Sequence, residues 1–300
     1  MSGPMPGHVD VHAHAFVPSR DVPRVEDGLA PAERDEPIER LWETLRPAGV
    51  AQAVLVPLDD EDAHVAAALA GDPRRLRAVA AATAREQGRA GVAPVAALRA
   101  RRAGFGFSGL RTRWLGDPGR PIRESPMWPV LTELAAEGIV LWSYLPPEQQ
   151  PLLADLSREL PELRILLNHL GFAPHDMQVD EHQRPWFVDP LPADRCDAVI
   201  ELADAPNVHV MLSGLYALTR EGPPYRELWP WVRRLRAAFG IERMMWGSDM
   251  PWPREAPGYV ALREASLEAL GPLTEPERDA VLASNARTLF DFDETGDMDA

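Results

Sequence analysis

Val9-Asp10-Val11-His12-Ala13-His14, close to the start of the chain, has the composition of a short buried strand. Successive side chains on a strand point to opposite faces, so His12 and His14 are predicted to point the same way. On this pattern Asp10 shares the face of the two histidines, and the apolar residues occupy the other face. Two imidazoles side by side at the end of a strand can bind one divalent metal ion, although two hydrogen-bonded core histidines would have the same spacing.

Seven further short apolar stretches follow along the chain, and helical patterns separate them. The eight predicted strands cover residues 9–14, 52–57, 76–82, 106–111, 139–144, 163–169, 208–213 and 243–249. Short apolar strands that alternate with helices are typical of an α/β protein with a parallel sheet and crossover helices. Eight such units favour a closed (β/α)8 barrel, the TIM-barrel architecture, over an open sheet.

Residues 1–300 are predicted to form a single barrel domain, because no internal repeat, linker or low-complexity segment divides them. Two long loops are expected, one over residues 16–37 and one from the sixth strand to residue 192, and we interpret the second as a lid. Residues 1–7 and 291–300 are predicted to be flexible tails.

The charge of the chain limits the classes of partner. It has 46 acidic residues against 31 positive ones, all of them arginine, which gives a formal net charge of −15. Such a protein is poorly suited to nucleic acid and to anionic membranes, so a small-molecule substrate is the expected partner, and a homo-oligomer is left open. The lack of lysine excludes a Schiff-base mechanism and a carbamylated lysine that bridges two metal ions.

Three features of the sequence predict a cytoplasmic protein. No apolar run approaches the length of a membrane span, and Met1 to Gly7 lacks the basic and apolar regions of a signal peptide. The single cysteine, Cys196, cannot form an internal disulfide, and it is expected to be a small buried residue on a helix.

The polar residues of the predicted strands cluster where those strands end. In a (β/α)8 barrel the C-terminal ends of the strands build the active site. The strand-end residues here are His12, His14, Arg111, Ser143, Tyr144, Asn168, His169, Ser213 and Asp249. Three histidines and one aspartate that converge at this end predict a site for one divalent ion, with zinc or manganese as the best matches. Tyr144 and Ser213 are further candidates for substrate binding.

The remaining histidines receive less weight. His64 is expected on the surface of a helix, and His209 at the far end of its strand is expected to be structural. His175 and His182 fall in the predicted lid after the sixth strand, and whether they reach the site is left open.

Several arginines lie near the end of the fourth predicted strand. Arg111 ends the strand, and Arg113, Arg120 and Arg123 follow it. A guanidinium group matches a carboxylate in two parallel hydrogen bonds. We therefore hypothesise that Arg111 holds a substrate carboxylate remote from the reacting carbonyl, and we expect Arg120 and Arg123 to be solvated surface charges.

Five pieces of sequence carry a resemblance to a known family. They are Val9-Asp10-Val11-His12-Ala13-His14, Asn168-His169-Leu170-Gly171, Leu212-Ser213-Gly214-Leu215, Trp246-Gly247-Ser248-Asp249-Met250-Pro251 and Ser284-Asn285-Ala286-Arg287-Thr288-Leu289-Phe290. Together they resemble the amidohydrolase superfamily in its amidohydrolase-2 branch. Within that branch they look most like the lactonases, the group that includes 2-pyrone-4,6-dicarboxylate lactonase and sugar lactonases.

This resemblance implies a hydrolase that opens a lactone or a similar cyclic ester. It implies that His12, His14, His169 and Asp249 form the reaction centre, with Asp249 and His169 as catalytic residues and Asp249 as general base. The same four residues would bind at most one divalent ion, and that ion is dispensable in some lactonases of the group, where the histidines act directly on the carbonyl. A second ion is not expected, because the chain has no lysine to bridge it.

Three other functions remain open from the sequence. The first is a metal-dependent, non-oxidative decarboxylase of the same branch, although Phe172-Ala173-Pro174 stands where those enzymes usually carry an acidic residue. The second is a binding protein on a barrel scaffold, which the full set of four polar residues disfavours. The third is an ordinary amidase or phosphoesterase, since a fold does not fix a substrate.

Overall fold

One parallel sheet organises the computed structural model, which describes residues 7–23, 33–58, 62–181 and 183–292. The strands in these residues are β1 (His8–Ala13), β2 (Val50–Leu55), β3 (Leu76–Ala81), β4 (Gly109–Thr112), β5 (Val140–Ser143), β6 (Ile165–Leu167), β7 (Met177–Val179), β8 (Pro185–Phe187), β9 (Val208–Leu212) and β10 (Met244–Trp246). Eight of them pair in the order β1-β2-β3-β4-β5-β6-β9-β10, and every pair is parallel. The predicted single-domain (β/α)8 barrel is confirmed, and each predicted strand has its counterpart.

Helices connect the strands of the barrel. Those in the described residues are α1 (Ile38–Leu45), α2 (Ala63–Gly71), α3 (Pro94–Gly104), α4 (Trp128–Ala136), α5 (Gln150–Glu159), α6 (Ala193–Glu201), α7 (Leu215–Leu218), α8 (Trp229–Phe239), α9 (Tyr259–Leu270), α10 (Glu275–Asp279) and α11 (Asn285–Phe290). Proline stands in the first turn of α3, α4, α5 and α8, where its missing N–H is not needed.

Two apolar clusters fill the molecule. The inner one holds one or two residues from most barrel strands, among them Val54, Val79, Val140, Leu166, Met211 and Met245. It also holds Leu289 and Phe290 of α11, so this helix packs against the barrel interior. The outer cluster joins the helices to the outside of the sheet.

The end of β1 departs from a regular strand. Val11 belongs to the inner cluster, yet the ring of His12 also faces inward, 5.2 Å from Trp142 of that cluster. Two consecutive side chains share one side because the register of β1 is irregular between Asp10 and Ala13. This irregularity places His12 and His14 inside the barrel and Ala13 in the outer cluster.

Asp10 does not share the face of the histidines, so that part of the prediction is wrong. Its Oδ2 accepts a hydrogen bond from Tyr259 of α9, 3.1 Å away. Its Oδ1 accepts the backbone N–H of His12 at 3.1 Å and that of Ser248 at 2.9 Å. The cause is the same irregularity, which regular alternation along a strand does not anticipate.

The barrel closes between β1 and the segment that follows β10. A parallel bridge joins Ala13 to Met250, and His14 N donates to Met250 O at 2.8 Å. Asp249 N donates to His12 O at 2.8 Å. This seam carries Asp249 directly to the two histidines of β1.

A second, small sheet lies in the predicted lid. β7 and β8 form an antiparallel hairpin in which Met177 pairs with Phe187. Arg184 Nε donates to Asp180 Oδ2 at 2.9 Å across the turn. Only a loop was predicted here, because three-residue strands with an exposed Val179 and a proline carry little strand signal.

The predicted tails and the first predicted long loop are described only in part. Residues 1–6, 24–32 and 293–300 lie outside the described residues. In the described part of the tails, Gly7 O accepts a hydrogen bond from Arg287, and Phe292 is buried in the inner cluster. Asp291 pairs with Arg164, with Oδ2 2.9 Å from the guanidinium nitrogen.

Candidate active site

Four of the predicted residues meet at the C-terminal end of the barrel. Nε2 of His14 lies 2.9 Å and Nε2 of His12 lies 3.4 Å from Oδ1 of Asp249. Nε2 of His169 lies 3.6 Å from Oδ2 of the same carboxylate. The rings of His12 and His169 are stacked with their centroids 5.0 Å apart. All four side chains are buried, so the geometry depends on the protein and not on solvent.

The surroundings of His14 test whether the cluster fits a metal ion. Nδ1 of His14 lies 2.7 Å from Val56 O, which can only accept, so Nδ1 carries the proton. In the neutral ring Nε2 then presents a lone pair to Oδ1 of Asp249, another acceptor. Two acceptors at this distance require a shared proton or a cation. Histidine nitrogens and a carboxylate are ligands that divalent transition metals accept, so the site fits such an ion.

The ligand atoms that group most closely are those of His12, His14 and Asp249, all within 4.8 Å of one another. They form the one such group among the residues that the structure describes. His169 stands next to this group on the side of Oδ2. Nδ1 of His12 is buried and has no hydrogen-bond partner within the described part of the chain, so no neighbour there fixes its tautomer.

Burial decides the charge of two of the histidines. It lowers the pKa of His12 well below its usual value, and the nearby Asp249 opposes this only in part. It also lowers the pKa of His169. Both imidazoles are therefore neutral at pH 7, which is the form that binds metal ions and accepts protons.

Asp249 is held in an unusual backbone conformation. Its φ of 61° lies in the left-handed region that non-glycine residues avoid at a cost of about 1–3 kcal/mol. Burial would raise the pKa of its carboxyl, but the positive charge that His12 and His169 acquire when acid protonates them, together with the hydrogen bond to His14, outweighs burial and holds the pKa below its usual range. Tyr216 donates a hydrogen bond to Oδ2 at 2.6 Å. The carboxylate is thus ionised and oriented at neutral pH.

His169 follows β6 in a similarly strained turn, with φ of 38° at His169 and 59° at Leu170. Nδ1 of His169 lies 2.7 Å from the hydroxyl of Ser213. Gly214, with φ of 70°, leaves room for the ring, because a Cβ there would lie 2.4 Å from Nδ1 of His169. The end of β9 therefore shapes the position of His169.

A pocket opens onto the cluster and contains both cationic and apolar groups. Arg111, Arg113 and Tyr144 line it, and the guanidinium carbons lie 5.9 Å and 5.4 Å from the tyrosine ring. Arg111 also donates to Pro57 O at 3.1 Å. The apolar lining comprises Leu58, Met177, Pro185, Phe187, Ala217 and Trp252. Such a mixture suits a small molecule with an anionic and an apolar part.

Ser213, Arg120 and Arg123 do not line this pocket. Ser213, predicted to bind substrate, is buried behind His169 and does not line the pocket, because its hydroxyl is directed at the imidazole. Arg120 pairs with Glu124, and Arg123 pairs with Glu159, all at exposed positions. They are surface charges, as expected.

His175 and His209 also lie outside the pocket. His175 is partly buried, and its Nδ1 lies 3.0 Å from Ala173 O. His209 lies in β9, where burial together with Arg243 and Arg164 lowers its pKa to about 4. His182 is not among the described residues.

His64 is partly buried on α2 and lines a separate groove of about 810 Å³ between α1 and α2. That groove is larger than the pocket at the strand ends but, within the described residues, lacks a cluster of ligand groups.

Two parts of the site were not found from the sequence. One is Tyr216, which lies three residues after Ser213 and contacts Asp249. The other is the β7–β8 hairpin, which brings Met177 and Phe187 into the pocket. The aromatic residue directly after the Leu212-Ser213-Gly214-Leu215 piece was the one signal for Tyr216.

Fold and site together define a barrel protein with a histidine–aspartate centre at the strand ends. The family model described as amidohydrolase matches residues 9–292, so the chain belongs to the amidohydrolase family. The predicted family is confirmed, and the predicted enzyme class, a hydrolase, agrees with it.

Similar proteins include a curated relative and solved structures. The L-fucono-1,5-lactonase of Burkholderia ambifaria is 30% identical over 143 residues, which are 48% of this chain and 43% of that protein. A putative 2-pyrone-4,6-dicarboxylic acid hydrolase from Pseudomonas putida is 24% identical, with a TM-score of 0.68 over 95% of this chain and 98% of that one. An amidohydrolase from Burkholderia multivorans, solved with bound zinc, is 21% identical, with a TM-score of 0.73 over 95% and 99%.

The similar proteins differ in how much of their length this chain matches. The two structures share the fold of this chain over nearly their whole length. The chain spans about half the length of the curated relatives it matches, 43% and 58% of them. Among the described residues, no helix has the length and apolar character that a membrane span requires.

Proposed function

We propose that this protein hydrolyses a lactone or a similar cyclic ester that carries a carboxylate. The observation that carries the proposal is the orientation of Asp249, whose ionised carboxylate lies against three imidazoles at the base of a pocket that Arg111 lines. The similarity to an L-fucono-1,5-lactonase supports the reaction class.

In the proposed reaction Asp249 acts as general base. It accepts a proton from the water that attacks the ring carbonyl, and it later delivers that proton to the leaving alkoxide. The acyl C–O bond of the ring breaks, and the product is a hydroxy acid. His169, neutral and oriented by Ser213, lies beside Asp249, where it can stabilise the carbonyl oxygen as charge develops on it.

One divalent ion, zinc or manganese, fits the group formed by His12, His14 and Asp249, with His169 adjacent. A bound ion would supply the site with a Lewis acid that polarises the carbonyl. Because the described residues contain one such group, we expect at most one tightly bound ion per chain. Metal analysis of the purified protein that returned two stoichiometric ions would contradict this, and full activity after chelation would assign the polarising role to the histidines.

Arg111 is proposed to hold a substrate carboxylate away from the reacting carbonyl. The protein carries a net charge of −15, so an anionic substrate needs a local positive group, which Arg111 and Arg113 supply at the pocket. Tyr144 lines the same pocket with both guanidinium groups near its ring, and it can contact the ring of the substrate.

The test is a panel of lactones with and without a carboxylate, assayed in a pH-stat with simultaneous detection of carbon dioxide. Hydrolysis consumes base and releases no gas, whereas decarboxylation releases carbon dioxide. Base uptake that is fastest with carboxylated lactones supports the proposal. Release of carbon dioxide from aromatic or muconate-type acids, without base uptake on any lactone, would replace it with the decarboxylase alternative.

A further inference from the structure

The two oxygens of the Asp249 carboxylate have different neighbours. Oδ1 faces His12 and His14, at 3.4 and 2.9 Å. Oδ2 faces the hydroxyl of Tyr216 at 2.6 Å and, farther away, His169 at 3.6 Å. An ionised carboxylate only accepts hydrogen bonds, so the tyrosine hydroxyl must be the donor. Tyr216 is thus the group that specifically engages Oδ2.

Tyr216 is itself firmly placed. It lies on the short helix α7, directly after β9, and its side chain is buried. Arg184 of the hairpin stands 5.8 Å from the centre of its ring.

One four-residue segment, Ser213–Tyr216, therefore contacts two members of the site. The hydroxyl of its first residue lies within hydrogen-bond distance of Nδ1 of His169, and the hydroxyl of its last residue donates to Oδ2 of Asp249. Between them Gly214 leaves space for the imidazole. The segment therefore constrains the positions of both His169 and Asp249.

We propose that Tyr216 is a positioning residue that fixes the rotation of the Asp249 carboxylate and so reserves Oδ1 for the side of His12 and His14. The inference rests on the proposed general-base role of Asp249, which gives this orientation its catalytic meaning. Without the phenolic hydroxyl, the nearest group to Oδ2 given by the described residues is His169 at 3.6 Å, which is too far to fix the rotation of the carboxylate. A hydrogen bond from a buried phenol to a carboxylate is among the stronger kinds.

Crystal structures of the full chain test the orientation without reference to activity. Wild type, Tyr216→Phe and the control Tyr225→Phe would be solved after the same chelator treatment. Tyr225 is buried like Tyr216, but the hydroxyl that donates to Asp249 is that of Tyr216. We expect the Asp249 carboxylate to rotate away from its wild-type position in Tyr216→Phe and to keep it in Tyr225→Phe. A carboxylate that overlays the wild type in Tyr216→Phe would overturn the proposal.

Kinetics separate positioning from plain structural support. On the best lactone of the panel, Tyr216→Phe should lower kcat by about 10-fold and change KM by less than about 2-fold, because the substrate does not contact the hydroxyl. Tyr225→Phe should leave both constants unchanged. Equal loss in both variants, or a loss confined to thermal stability, counts against the proposal. If no lactone is hydrolysed, the proposed function fails, and the crystallographic result still decides the role of Tyr216.

Discussion

Both ends of the barrel carry charged side chains, but the contacts of these side chains differ between the two ends. At the N-terminal end the guanidinium groups donate to backbone carbonyls, as Arg77 does to Phe290 O and Arg164 to Leu289 O. These bonds satisfy the last carbonyls of α11 and anchor that helix under the sheet. At the C-terminal end Arg111 faces a pocket, and Asp249 faces histidines at strained backbone positions. The N-terminal contacts stabilise the fold, whereas Arg111 and Asp249 line a cavity, where we propose that they act on a substrate.

The largest expected effect concerns the base itself. Asp249→Asn keeps the shape of the side chain but removes its charge, so kcat for lactone hydrolysis should fall by about 10²-fold or more while the fold persists. His12→Ala and His14→Ala should cost about as much, because the groups act on one reacting centre. Steady-state kinetics with circular dichroism would measure both. Turnover like that of the wild type in Asp249→Asn would remove the carboxylate from the proposed mechanism.

The next effect tests the space beside His169. Gly214→Ala places a Cβ 2.4 Å from Nδ1 of His169 at a φ of 70°, so it should displace the imidazole and lower kcat on the order of 10-fold. Gly49→Ala is the matched control, because Gly49 has φ of 82° and nothing within 4 Å of a new Cβ. Both variants should lose thermal stability, and only the first should lose activity. Equal activity in the two would show that the contact with His169 does not matter.

A third effect addresses substrate charge. Arg111→Met removes the charge and keeps much of the apolar stem of the side chain. KM for a carboxylated lactone should therefore rise on the order of 10-fold, while KM for a neutral one stays nearly constant. Arg120→Met is the control, since Arg120 is an exposed residue paired with Glu124. If neutral sugar lactones react best and Arg111→Met leaves their kinetics unchanged, Arg111 is structural.

An effect on stability, and not on activity, is expected at the opposite end of the barrel. Burial, with Arg243 and Arg164 nearby, lowers the pKa of His209 to about 4 from an ordinary value of 6.5. Between these pH values the unfolded chain binds a proton that the folded protein excludes, so the free energy of unfolding falls as the pH falls.

The variant His209→Gln does not titrate and should isolate this dependence. Between pH 7 and pH 4 it should lose about 3 kcal/mol less stability than the wild type. Urea unfolding of both proteins at several pH values would measure the difference. If the free energy of unfolding changed equally with pH in both proteins, His209 would not be responsible for the pH dependence.

The regular alternation of strands and helices in this molecule could be predicted from the sequence. Eight apolar stretches indicate the barrel because buried parallel strands are apolar on both faces, and strand ends meet at one edge of such a sheet. The same rule predicts that His12, His14, His169 and Asp249 lie together, and they do meet.

The parts that the sequence did not predict depend on local departures from regular structure. The orientation of Asp10 follows from a register irregularity that leaves no mark in residue periodicity. Tyr216 lies in a helix of four residues, too short for a helical pattern. Ser213 stands at a strand end like a pocket residue, yet its hydroxyl is directed at His169.

The seam between β1 and the segment after β10 has a consequence for how the protein responds to ligands. Its two backbone hydrogen bonds are donated by His14 and Asp249, so the contacts that close the barrel also position two residues of the site. A molecule bound by His12 and Asp249 together would link β1 to the segment after β10. It would therefore stabilise the closed seam against local opening. The amide hydrogens of His14 and Asp249 would then exchange with solvent more slowly. Hydrogen exchange at these two residues would therefore detect binding even without turnover.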